Sequence, residues 1–230
     1  MNIYEIQLEG DELHDKLGGG LPKGALILIE APNGLGKSIL SQRFTYGLLQ
    51  NGVTVSYCST ELPTNGFVAQ MESVGYPVKH AFLTKKLKYV SLFSAFSHIE
   101  DFDNLIDDVL SHEPFMKSDV IILDALSDFL VNRDLDKKKS FDLIQQIKKV
   151  TLSDKTVIVT VDPDQINEHI HRMIQVSSTV YLEMKEVEQF GNTVNMLRIK
   201  RFNAAAGTLE KSMTFKVRPQ IGIVVELASG

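Results

Sequence analysis

The sequence predicts an α/β fold: a mostly parallel central sheet with helices on both faces, finished by antiparallel C-terminal hairpins. Three observations predict it. Short, nearly continuous apolar runs alternate with helix-period segments between residues 25 and 178, the pattern of parallel strands buried on both faces and joined by crossover helices. A Gly-rich loop follows the first apolar run and opens a helix. After residue 178 the pattern changes to paired runs around turn residues.

In chain order, the first strand is Ala25 to Glu30 (ALILIE), preceded by glycines at 18–20 and 24. From Lys37 to Gln50 the residues Ile39, Leu40, Phe44, Gly47 and Leu48 recur at helical spacing, and Gly52 closes that helix as a residue tolerant of positive φ. Val53 to Cys58 is the second strand, followed by a helix around Asn65 to Gly75. Tyr89 to Phe93 reads as a third strand, with a helix near Glu100 to His112 behind it. Val120 to Leu123 (VIIL) is the most apolar strand, Lys138 to Leu152 an amphipathic helix, and Thr156 to Val161 (TVIVTV) a further buried strand. Val180 to Glu186 and Val194 to Phe202 flank Phe190-Gly191-Asn192, and Met213 to Val217 and Ile221 to Leu227 flank Pro219, Gln220 and Gly222. Each pair reads as a hairpin. No linker, repeat or low-complexity stretch intervenes, so one domain over 1–230 is expected.

Composition narrows the class. With 230 residues, 43% hydrophobic and 23% charged, the chain can bury roughly 70% of its unfolded surface without a disulfide or metal staple. Lysine and arginine number 24 against 29 aspartates and glutamates, a formal charge of −5, which argues against a stable nucleic-acid partner. The single cysteine, Cys58, excludes a disulfide framework and reads as a buried inert thiol. No apolar run approaches the ~18 residues of a membrane span, and the acidic, mixed N-terminus is unlike a signal peptide. A soluble intracellular protein without membrane insertion is expected.

The strongest local signal is Ala31-Pro32-Asn33-Gly34-Leu35-Gly36-Lys37-Ser38, placed between strand and helix. It matches the phosphate-binding P-loop pattern except that Ala31 stands where the first glycine is usual. Gly34 and Gly36 supply the freedom that lets successive backbone N–H groups turn inward around phosphates. Lys37 is placed to reach the β- and γ-phosphates, Ser38 to ligate Mg²⁺, and the helix through Ile39 aims its positive end at the anion. Asp124, closing the apolar strand Val120 to Leu123, is the candidate metal-side carboxylate, its alternative being an ordinary strand-end aspartate. Glu61, just after the strand ending at Cys58, lies at the sheet edge where α/β ligands gather and is the candidate base for an attacking water; its alternative is a loop glutamate preceding Pro63. Asp128 reads as a helix or loop residue, and Asp162 shares the same edge with structural and functional readings both open.

With these residues in place, the run Leu17-Gly18-Gly19-Gly20-Leu21-Pro22-Lys23-Gly24 followed by the P-loop is similar to the corresponding motif of RecA-like ATPases of the KaiC type. The stretches Leu40 to Gly47, Ser59-Thr60-Glu61-Leu62 and Gln70 to Tyr76 resemble the ATP-binding protein family of the archaellum, the archaeal flagellum, over essentially the whole chain. The resemblance implies a RecA-like P-loop fold and a cytoplasmic component that binds ATP and Mg. It implies association with the archaellum motor ATPase and other motor-complex proteins at the cytoplasmic face of the membrane, and a ring-shaped homo-oligomer. It carries the phosphate role onto Asn33, Gly34, Leu35, Gly36, Lys37, Ser38 and Ile39, the metal role onto Ser38 and Asp124 (through water), and the base onto Glu61. KaiC has two adjacent glutamates where Glu61 is followed by Leu62. Its Lys-x-Arg pair, which enters a neighbour's site, lies near the strand matching Leu197 to Phe202; this sequence has Arg198-Ile199-Lys200-Arg201 instead, so Arg198, Lys200 and Arg201 are trans-contact candidates with the register open. Both departures point to slow or absent hydrolysis, with regulation of assembly as the function. The alternative is an active RecA/KaiC-like ATPase driving motion or acting on nucleic acid.

Other features read as structural. His169 and His171, two apart, do not share a helix face. Lys85-Lys86-Leu87-Lys88 and Lys137-Lys138-Lys139 read as solvated surface, with a docking patch for an acidic partner or lipid headgroups as the alternative.

Overall fold

The computed structural model describes residues 2–93, 105–131, 137–189 and 191–226. Two short strands, β1 (Ile3–Tyr4) and β2 (Leu21–Pro22), pair antiparallel around the helical turn α1 (Leu13–Lys16). The main sheet starts with β3 (Leu26–Glu30), followed by α2 (Lys37–Gln50), β4 (Val55–Ser59), α3 (Thr64–Ser73), α4 (Lys79–Leu83) and β5 (Leu87–Ser91). Next come α5 (Leu105–Ser111), α6 (Glu113–Met116), β6 (Val120–Asp124), α7 (Leu126–Val131), α8 (Lys137–Thr151) and β7 (Thr156–Val161). A 3₁₀ turn at Pro163–Gln165 and α9 (Glu168–Ser177) lead into β8 (Val180–Gln189), β9 (Asn192–Phe202), β10 (Ser212–Arg218) and β11 (Gly222–Glu226).

The nine strands of this sheet run in the order β11-β10-β9-β8-β3-β7-β6-β4-β5. Strands β8, β3, β7, β6, β4 and β5 are parallel, and β8 through β11 pair antiparallel. The mostly parallel sheet with C-terminal hairpins is therefore the architecture the patterning predicts. The chain leaves β3 through α2 and re-enters the sheet at β4, beyond β7 and β6. That crossover brings the end of β4 to the same edge as the start of α2.

Burial explains why these runs are strands. Ile27 and Ile29 pack with Leu40, Phe44 and Leu48 of α2 on one face, and Leu26 and Leu28 pack with Ile144, Ile147, Ile170 and Ile174 of α8 and α9 on the other. Each such side chain contributes about 1.5–3 kcal/mol when fully buried. The structure and the sequence pattern differ in places. The third strand lies earlier, Leu87–Ser91, because buried Leu87 pairs with Val55 while Lys86 and Lys88 sit at an edge strand, where lysines are tolerated. Of the helix near Glu100 to His112, the described part is α5; residues 94–104, like Phe190 and Leu227, lie outside the described residues. Helix α9 was not anticipated, since Ile170 and Ile174 are its only buried residues. Among the described residues, no helix is long and apolar enough to cross a membrane.

Helix α2 is buried along most of its length, polar residues included. Arg43 is fully buried and its Nε donates to Asp11 Oδ2, while its two terminal nitrogens have no hydrogen-bond partner. Gly47 is obligatory beside it: a Cβ there would lie 2.5 Å from the Arg43 guanidinium and 2.7 Å from the Ile6 carbonyl oxygen. Removing Asp11, its paired anion, leaves a buried charge uncompensated. Asp11→Ala is therefore expected to lower unfolding free energy by about 3–5 kcal/mol in urea titration, and a loss under about 1 kcal/mol, the value of a surface pair, contradicts this reading.

Candidate functional site

The loop after β3 takes its shape from two glycines. Gly34 and Gly36 have φ of 85° and 88°, in the left-handed region that other residues rarely adopt. Nothing lies within 4 Å of a Cβ built on Gly34, so backbone conformation rather than space selects glycine there. Ala31 is not among the residues with positive φ, and its N–H donates to the Val161 carbonyl, 3.1 Å away, continuing the β3–β7 ladder. That is why alanine serves at the first position of the motif. Gly36 caps α2, whose first-turn N–H groups face the loop.

Lys37 is 7% exposed and folds back over the loop, its Nζ donating to Ala31 O (2.8 Å), Pro32 O (3.1 Å) and Asn33 Oδ1 (3.2 Å). The three acceptors match the three protons of an ammonium group. Burial lowers its pKa, against the opposing charges of Asp162, Glu61, Asp124 and Asp128.

Ser38 stands between two carboxylates, Asp124 at the end of β6 and Glu61 two residues beyond β4. Its hydroxyl lies 3.0 Å from Glu61 Oε2 and 3.2 Å from Asp124 Oδ1. Asp124, at the end of β6, is 2% exposed; its Oδ2 accepts from Tyr57 OH (2.6 Å) and its Oδ1 from Thr160 Oγ1 (2.8 Å). Burial still wins over these donors and over Lys37, so the Asp124 pKa is raised. Burial first, and then Asp124's charge, also raise the pKa of Glu61, against the Ser38 hydrogen bond. The preceding residue is anchored, since Thr60 Oγ1 donates to Asp128 Oδ2 at 2.8 Å.

The structure thus brings Lys37, Ser38, Glu61 and Asp124 together, with Asn33, Gly34, Leu35 and Ile39 around them. Among the described residues, no group of three or more His, Cys, Asp or Glu side chains could hold a metal by itself. The oxygens of Ser38, Glu61 and Asp124 nevertheless suit Mg²⁺, a hard cation that binds through one or two carboxylates plus substrate phosphates. Asp162 is 3% exposed and caps the Pro163–Gln165 turn, its Oδ1 accepting from Asp164 N at 3.0 Å.

The basic segment of β9 lies apart from the loop, two strands from β3, with Arg198 in register with Glu183 and Glu183 with Glu30. Arg201 is committed: its Nη1 donates to the carbonyls of Gln175 (2.8 Å) and Ser178 (2.9 Å) at the end of α9. Lys200 lies 3.5 Å from Glu183, and Arg198 is exposed with no ion pair among the described residues. His171 Nε2 lies 2.7 Å from buried Glu30, which also accepts from Tyr181 OH (2.9 Å) and Gln175 Nε2 (3.1 Å).

Sequence reasoning missed two sets of residues. Tyr57 and Thr160 hold Asp124, and the signal available was a hydroxyl-bearing side chain inside each fully buried strand. Asn195, Lys216 and Arg218 line an open cleft of about 480 Å³ against Gly34, Leu35, Gly36 and Ile39. No spacing in the chain relates them to the loop; strand pairing does.

The family described as KaiC, an ATPase, matches residues 10–228. The archaeal flagellar ATP-binding protein FlaH of Methanocaldococcus jannaschii is 35% identical over 229 residues, covering 100% of this chain and 98% of that protein. FlaH of Methanococcus voltae is 34% identical over 229 residues, covering 100% and 99%. The crystal structure of the flagellar accessory protein FlaH from M. jannaschii superposes with a TM-score of 0.89 at 34% identity, over 98% of this chain and 100% of that one. A KaiC-like protein from Pyrococcus horikoshii, at 16% identity, shares the fold with a TM-score of 0.77 over 98% of this chain and 100% of its own. With its RecA/KaiC-like sheet, its P-loop and its full-length similarity to these relatives, the chain belongs to the archaeal flagellar ATP-binding protein family, FlaH.

Proposed function

We propose that this chain, as one domain, is an ATP-binding regulatory component of the archaellum motor, in which nucleotide occupancy sets homo-oligomerisation and docking on the motor ATPase. The observation that carries this reading is the Ser38 junction. A P-loop hydroxyl within hydrogen-bond distance of both Glu61 and Asp124 ties the start of α2 to the ends of β4 and β6. A ligand engaging Ser38 therefore acts on three elements at once. Lys37 and the N–H groups around Gly34 and Gly36 bind the phosphates, with the ammonium exchanging loop oxygens for phosphate oxygens. Ser38 and, through water, Asp124 would hold Mg²⁺, which supplies charge neutralisation at the phosphates. The cleft beside Asn195, Lys216 and Arg218 offers room for the rest of the nucleotide.

Glu61, with its raised pKa, is suited to orient and deprotonate a water. Phosphoryl transfer also needs positive charge on the developing γ-phosphate, and an arginine finger contributes ~10³–10⁵ in rate. Arg43 and Arg201 are occupied structurally, which leaves Arg198 as the β9 arginine available to a neighbouring protomer. Hydrolysis by an isolated protomer is accordingly slow or absent. ATP favours one association state by its differential affinity for that state, and the site works cytoplasmically at the motor complex.

Lys37→Ala is expected to abolish measurable ATP binding in calorimetry with the fold intact; unchanged affinity sinks the assignment. Asp124→Asn should weaken ATP binding only when Mg²⁺ is present, and an equal loss with and without the metal points to a defect at the strand end instead. For the switch itself, light scattering and pull-downs with the motor ATPase should show nucleotide-dependent assembly in wild type and none in Lys37→Ala. Identical assembly without nucleotide contradicts the regulatory role.

A further inference from the structure

The parallel strands enter the sheet from one pole, opposite the edge that carries Glu61 and Asp124, and this pole gathers cations. Lys85 and Lys86 precede β5, Lys88 is its second residue, Lys117 precedes β6, and Lys155 precedes β7. Lys88 Nζ lies 3.2 Å from Ser118 Oγ and Lys155 Nζ lies 2.9 Å from the Ser118 carbonyl oxygen, so two ammonium groups converge on one residue. Three acids at the same pole offset part of the charge of these five lysines: Glu113 pairs with Lys117 at 2.8 Å, Asp119 accepts from Thr54 N at 3.0 Å, and Asp154 directly precedes Lys155. The opposite edge is acidic, with Glu61, Asp124, Asp128 and Asp162, in a chain of net charge −5.

Two leucines stand out at the same pole. Leu83, the last residue of α4, is 82% exposed, and Leu152, directly after α8, is 85% exposed. They lie on the turns entering β5 and β7, which are three strand spacings apart, roughly 14 Å. A helical partner needs a groove that covers its apolar anchors together. Here each leucine protrudes singly, Leu83 two residues before Lys85 and Leu152 between Lys149 and Lys155 in the chain. A fluid interface accepts separate protruding leucines at the headgroup level, and lysines with long apolar stems suit anionic headgroups above it.

The geometry points to this pole as a peripheral docking surface for a bilayer containing anionic lipids, with Leu83 and Leu152 in the headgroup boundary and the P-loop edge facing away. Cosedimentation with phosphatidylcholine vesicles, with and without phosphatidylglycerol, tests it. The protein sediments only with the anionic vesicles, and less as salt rises. The double variant Lys85→Glu with Lys86→Glu partitions roughly tenfold or more weakly, and Leu83→Ser with Leu152→Ser also lowers binding. All four side chains are exposed and remote from the loop, so ATP affinity and thermal unfolding stay as in wild type, which separates this test from that of the nucleotide site. Failure to sediment with phosphatidylglycerol vesicles overturns the proposal, as does sedimentation that both double variants leave unchanged. Binding of polyglutamate without binding of vesicles assigns the pole to an acidic protein partner and overturns it equally.

Discussion

A carboxylate buried at a sheet edge is costly unless its oxygens are satisfied, and Asp124 imposes that requirement on three other stretches of chain. It is 2% exposed and receives hydroxyl groups from Tyr57 on β4, Thr160 on β7 and Ser38 on α2. Leaving a buried acceptor without its donor costs about 1–3 kcal/mol, so the cluster holds only when β7, β6 and β4 lie side by side in register. They do: Ser59 pairs with Asp124, and Leu123 pairs with Val159, the residue before Thr160. The turn after Asp124 is bound into the same cluster. Ala125 N donates to Thr160 Oγ1 at 2.6 Å while Ala125 holds φ at 61°, a conformation disfavoured for a residue with a Cβ. Satisfying this one acid requires β7, β6 and β4 side by side and holds Ser38, with its link to Glu61, at the same edge.

On the other side of β3, a second buried acid fastens the C-terminal half. Glu30 gathers His171, Gln175 and Tyr181, so α9 and β8 are fixed to the residue immediately before the loop. Arg201 then closes the last turn of α9 from β9 by donating to its free carbonyls, the position at which a cation is favoured. The antiparallel extension is thus joined to the phosphate loop through side chains as well as through the sheet. A ligand that orders the loop has a physical route to β9, where exposed Arg198 faces solvent.

How much of this was legible in the chain depends on distance along it. The loop from Asn33 to Ser38, the apolar strands and the acids that end them are local patterns, and their placement in the structure follows the reading. Strand order is not local. Nothing in the spacing of Tyr57 or Thr160 reports that both flank Asp124; a hydroxyl within TVIVTV is only a trace of it. Helix α9 escaped because its apolar stripe is two buried isoleucines in a polar segment, and the true start of β5 escaped because Leu87 lies between lysines. The basic run at 198–201 was visible as charge, yet only the fold separates Arg201, spent on a helix end, from Arg198.

In the proposed function, ATP with Mg²⁺ engages the loop and, through Ser38, the ends of β4 and β6. Hydrogen exchange of backbone amides, followed with and without ATP and Mg²⁺, tests it most directly. Slowed exchange is expected at Gly34, Gly36, Lys37 and Ser38, together with Thr60, Glu61 and Ala125, whose segments the Ser38 junction connects. Protection that leaves the 34–38 amides unchanged, or that stops at the loop without reaching Glu61 and Ala125, contradicts the account.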